Sequence, residues 1–97
     1  MPCLPAEVIL GVDTHRDTHA AALVDTLGQF VAAQSFPTTR AGLRLLIRWA
    51  QQLGTVRRAG VEGTGSYGAG LNRALRLENI EVIEVTRAAR VGRRHLG

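Results

Sequence analysis

The chain has 97 residues, of which 45% are hydrophobic, and a formal net charge of +4. That length allows one small domain with a modest core, and that composition argues against a disordered chain. All twelve basic residues are Arg, whose planar fork suits paired contacts to phosphate oxygens. The single Cys, Cys3, cannot close an internal disulfide, and the apolar runs are only strand-length, so neither secretion nor a membrane span is indicated.

Residues 1–6 carry two prolines and read as a flexible leader. Residues 7–13 form a first strand, apolar on both faces and therefore central in a sheet, which ends on Asp13. Residues 14–17 turn the chain into a second strand, 18–25. A turn through Gly28, free to take positive φ, leads to a third strand over 29–36. The three make an antiparallel meander that Pro37 ends. Thr38 or Thr39 then caps a helix reaching about residue 53. Leu43, Leu46, Ile47, Ala50 and Leu53 share one face of it, and Gly54 is its natural stop. Arg40, Arg44 and Arg48 line another face, read as solvated in preference to a nucleic-acid contact. A fourth strand over 56–62 again ends on a carboxylate, Glu62. The glycine-rich turn 63–68 opens a second helix to about residue 78, with Leu71, Ala74 and Leu75 inward and Asn79 left-handed at its end. Residues 80–85 are a fifth strand, parallel to the fourth through the helical crossover. Residues 86–97 read as an Arg-rich, loop-like tail. The order βββαβαβ predicts one α/β domain over 7–85, a mixed five-stranded sheet with helices packed on it.

Asp13 and Glu62 both terminate strands at their carboxyl ends, the edge of an open α/β sheet where ligands bind. If the first and fourth strands are neighbours, the two carboxylates converge on one ion. Such oxygen donors suit Mg²⁺ or Mn²⁺. The plain alternative is that both only cap turns or helix ends. The alternation Asp13, His15, Asp17, His19 suggests a metal nest, but the turn breaks any shared face, and zinc prefers a closed set of three or four ligands. Turn polarity and a half-buried His19 are the expectation there. Gly63, Gly65 and Gly68 match a dinucleotide fingerprint, with Glu84 about twenty residues on. Glu62, however, places an anion where a pyrophosphate would lie. In the tail, Arg87, Arg90, Arg93 and Arg94 suit non-specific contacts to a phosphate backbone.

Three stretches together resemble the N-terminal domain of the DEDD transposases of the insertion sequence 110 family. They are the run through Gly11-Val12-Asp13 to His19, the segment Gly60-Val-Glu62-Gly-Thr-Gly-Ser-Tyr67, and the Arg-rich segment after Val85. The similarity runs from about residue 8 to 97. It implies an RNase H-like, RuvC-type fold, in which Asp13 is the first acidic residue and Glu62 the second, both catalytic and both metal-holding. It also implies two further carboxylates in an Asp-x-x-Asp-Ala segment and a C-terminal domain with a serine implicated in strand transfer. The sequence to Gly97 contains neither, so the domain is expected to be incomplete at its C-terminus and the chain alone inactive. Implied partners are DNA, a guide RNA from the element and further copies of the protein in an oligomer; the implied cofactor is Mg²⁺ or Mn²⁺. The implied location is cytoplasmic and nucleoid-associated.

The expected function is therefore the front part of a DNA transposase that cleaves phosphodiesters with divalent metal. Two alternatives differ in class: a non-catalytic nucleic-acid-binding module resting on charge and the Arg tail, and a nucleotide-binding βαβ protein using Gly63, Gly65 and Gly68.

Overall fold

A computed structural model describes residues 6–85. Its elements run β1 (Glu7–Thr14), β2 (Thr18–Asp25), β3 (Phe30–Pro37), α1 (Arg40–Leu53), β4 (Thr55–Glu62), α2 (Ala69–Leu77) and β5 (Glu81–Val85). The five strands form one sheet in the order β3-β2-β1-β4-β5. The first three pair antiparallel, whereas β1–β4 and β4–β5 are parallel. This is the mixed α/β, RNase H-like architecture expected, with β1 at its centre. The leader and tail readings fall on residues 1–5 and 86–97, outside the described residues. Ala6, at the leader's end, is tied down: its carbonyl accepts from the Thr55 amide at 2.9 Å.

Local chemistry fixes the turns. Asp25 Oδ1 accepts from the amides of Leu27 and Gln29, both at 2.9 Å, and Gly28 takes φ +84°, closing the β2–β3 hairpin. Between the two candidate caps, Thr39 caps α1, its Oγ1 accepting from the Gly42 amide at 3.0 Å. Thr38 instead donates its hydroxyl to the Arg16 carbonyl at 3.0 Å, tying the exit of β3 to the β1–β2 turn. At the end of α2, Asn79 is left-handed (φ 62°). The Ile80 amide reaches Leu75 O and the Asn79 amide reaches Arg76 O, the paired bonds of a Schellman cap.

Both helices pack on one side of the sheet. Val8, Leu10, Val12, Ala21, Leu23, Ala59 and Val61 point to that side and meet Leu46, Ile47, Ala50, Leu71 and Leu75 in one buried cluster. Phe36 closes it against Trp49, ring centres 5.4 Å apart. Among the described residues no helix is long and apolar enough to cross a membrane.

Four details depart from the sequence reading. Leu53, placed on the buried face of α1, is 44% exposed, while Gly42, not placed there, is buried. A Cβ on Gly42 would overlap the Pro37 carbonyl oxygen. Gly54 is extended (φ 175°), not left-handed; glycine is required there because a Cβ would meet Ala6 O at 2.6 Å and the Val8 side chain at 2.7 Å. Thr14 belongs to β1, not to the turn. Finally, β4 carries a bulge: Val8 lies opposite Val56 but Ile9 lies opposite Arg58, leaving Arg57 as the extra residue. Val56 and Ala59, three apart, thereby both face the core.

Candidate functional site

Alternation along β1 sends Val8, Leu10, Val12 and Thr14 toward the helices and Ile9, Gly11 and Asp13 to the other side of the sheet. In β4 the stretch after the bulge is in phase with β1, Gly60 opposite Gly11 and Val61 opposite Val12. Asp13 and Glu62 are the next residues of their strands. Registered neighbours in a parallel pair share a face, so both carboxylates stand on the helix-free side at adjacent strand ends. They line one concavity of about 560 Å³. Its lining combines small residues, including Gly11, Ala20, Ala22 and Gly60, with Ile9, Val24 and Val85.

The two carboxylates differ in setting. The Asp13 side chain is 46% exposed, with His15 Nε2 4.0 Å from its Oδ2. Glu62 is only 6% exposed, and its Oε1 is closed to solvent. The strand ends are held by Thr14, itself buried, whose hydroxyl donates to the Glu62 carbonyl at 2.6 Å. Gly63 then turns the chain with φ +68°, where a Cβ would come within 3.0 Å of that same hydroxyl. Gly68 is closed in by the carbonyl oxygens of Glu62 and Gly63, each 2.9 Å from where a Cβ would lie. Two of the three fingerprint glycines are thus explained by the tight turn itself.

Thr14 is the functional-site residue that sequence reasoning assigns to the turn instead. A signal for its place is present: a β-branched residue directly continuing an apolar strand. His19 also differs from expectation. It is 1% exposed, not half-buried, because strand alternation puts it on the helix side with Ala21 and Leu23. Burial, with a smaller contribution from neighbouring His15, pushes its pKa below the usual histidine value. Among the described residues its Nδ1 has no hydrogen-bond partner. No group of three or more His, Cys, Asp or Glu comes together among the described residues. Arg87, Arg90, Arg93 and Arg94 lie outside them.

The family model for DEDD transposases of the insertion sequence 110 type, described as a transposase, matches residues 10–95. The chain belongs to this family. Among curated proteins none matches it. For a DEDD transposase domain, membership implies DNA as a partner and divalent metal as the class of cofactor. The site of this transposase domain fits such an ion in its donor chemistry: two carboxylates, hard oxygen donors, on adjacent strand ends, one of them open to water.

Proposed function

We propose that Asp13 and Glu62 are two of the acidic residues through which this transposase domain holds Mg²⁺ or Mn²⁺ for phosphodiester cleavage in DNA. The observation that carries the reading is the register of β1 and β4, which sets both carboxylates at adjacent strand ends on the side of the sheet away from α1 and α2. A bound divalent ion in such a site polarises the phosphodiester and lowers the pKa of water. The chain's own residues do the rest. Glu62, nearly buried, supplies a carboxylate from a backbone that the Thr14 hydroxyl anchors. Asp13, half open, leaves room for water and a phosphate oxygen. Among the described residues no helix lies on this side of the sheet, and the small residues in the lining of the concavity support approach of a duplex to the edge. With the resemblance come a guide RNA, a homo-oligomer and a cytoplasmic, nucleoid-associated location as further parts of the proposal.

Titration with Mn²⁺, followed by electron paramagnetic resonance, tests the metal role without requiring turnover. The wild-type chain is expected to bind weakly, and Asp13→Asn and Glu62→Gln each to reduce binding at least about tenfold, the loss of one charged donor. Unchanged Mn²⁺ binding in both variants, with folding intact, would refute the assignment.

A further inference from the structure

The opposite surface of the molecule carries a second feature that the carboxylate edge does not use. Helices α1 and α2 lie side by side on the sheet, and between them runs an open groove of about 810 Å³. Arg40, Arg44 and Arg48 stand along one wall, on α1, and Arg73 stands on the other, on α2; Leu43 and Ala74 contribute apolar floor. All four arginines are exposed. Among the described residues none of them makes an ion pair: the two pairs present are His15 with Asp13 and Arg58 with Glu81. The groove's acid, Glu78, sits beside Gln51, whose Nε2 donates to it at 3.4 Å. Four unneutralised guanidinium groups facing one concavity repel one another, a cost that an anionic occupant removes.

The spacing says which kind of anion. Residues four apart on a helix are separated by about 6 Å along its axis, so Arg40, Arg44 and Arg48 repeat over roughly 12 Å. The 6 Å step is close to the distance between successive phosphates of one nucleic-acid strand. Arg forks engage phosphate oxygens in pairs, and the apolar floor accommodates sugar. A carboxylate offers one acceptor pair on a mobile side chain, whereas a phosphate backbone offers its charges at a fixed repeat along the strand.

We infer that the α1–α2 groove is a second DNA-binding surface, taking the phosphate backbone of a duplex on the side of the sheet opposite Asp13 and Glu62. It shares with the proposed function only the choice of DNA as partner, and involves neither carboxylate nor metal. The groove reads no sequence, since it offers charge and little base-edge chemistry. Its role is to hold a length of duplex away from the cleavage edge.

Binding of the full chain to a 30-base-pair duplex, by fluorescence anisotropy in chelator across a salt series, tests this. Without metal the carboxylate edge repels phosphate. Arg44→Glu with Arg73→Glu is expected to weaken binding at least about fivefold and to reduce the slope of log affinity against log salt by about 2, one unit for each phosphate no longer neutralised. Because the series is run in chelator, where no ion is held, failure of the metal reading does not touch this one. Arg44 and Arg73 are both exposed, and far-ultraviolet circular dichroism checks that the variant is folded. The milder Arg44→Gln with Arg73→Gln gives the same slope change if reversal perturbs the helices. An unchanged slope in both variants overturns the proposal. So does a loss confined to an RNA hairpin of matched length, which would give the groove to RNA.

Discussion

On the helix side of β1, Val8, Leu10, Val12 and Thr14 are all buried; on the other side of the same strand Gly11 is exposed and Asp13 half open. The helix side is built from one buried cluster rich in Leu and Val; the other side of the described sheet sets glycine and alanine, with Ile9, Val24 and Val85, around two acids. The difference teaches where each kind of substitution is felt. Apolar volume on the helix side supplies the stability, since dispersion and water exclusion there have no alternative source in so small a domain. Small residues on the other side contribute little to it.

The largest expected effect breaks that contrast directly. Leu10→Ala, at a fully buried position, is expected to cost about 2–5 kcal/mol in denaturant unfolding, whereas Ile9→Ala, its neighbour on the open side, costs well under half as much. Equal losses would mean that the open side is covered as tightly as the other. A middle-sized effect joins the two sides. Thr14 is buried with the core, yet its hydroxyl fixes the Glu62 backbone. Thr14→Val keeps the shape, removes the donor and leaves the Glu62 carbonyl short of a partner; the expected cost is about 1–3 kcal/mol, together with weaker Mn²⁺ binding. Thr14→Ser, which retains the hydroxyl, is expected to restore the metal binding.

The smallest effect is absent at neutral pH and appears only on acidification. His19 is buried neutral, with its pKa below the ordinary value of 6.5, first through burial and then through His15. The unfolded chain then binds the proton more readily than the folded one, so stability rises with pH across this window. Stability is expected to be full above about pH 6.5 and to fall as pH drops from there through the lowered folded pKa. His19→Phe, neutral throughout, should flatten that part of the curve, measured as unfolding free energy against pH. A slope unchanged by the substitution would assign the acid sensitivity elsewhere.

Much of this was legible in the sequence because the informative patterns were local. Strand periodicity, the Asp25–Gly28 turn, the Thr39 cap and the Asn79 stop each depend on a few adjacent residues, and each appears in the structure where its chemistry requires. The make-up of the sheet, a meander joined to helical crossovers, was legible; its strand order was not. The pairing of Asp13 with Glu62 was legible only as a condition, that β1 and β4 be neighbours, which the topology supplies. What was missed depends on groups distant in sequence. Gly54 is glycine because Ala6 and Val8 crowd it, and Thr14 matters because Glu62, 48 residues on, presents a carbonyl to it. The burial of His19 was the exception. Its alternation with Ala21 and Leu23 already placed it inward, and the polar character of the side chain outweighed that parity.

The bulge at Arg57 divides β4 into two separately phased lengths, and this sets which insertions and deletions the domain can absorb. Before position 58, a one-residue deletion removes the extra residue and disturbs only the anchorage of Val56 under the helices. After position 58, the same deletion moves Glu62 one step back, opposite Val12, and turns its carboxylate inward to the core, away from Asp13. Length variation along this strand is therefore expected to be tolerated on one side of Arg58 and destructive on the other.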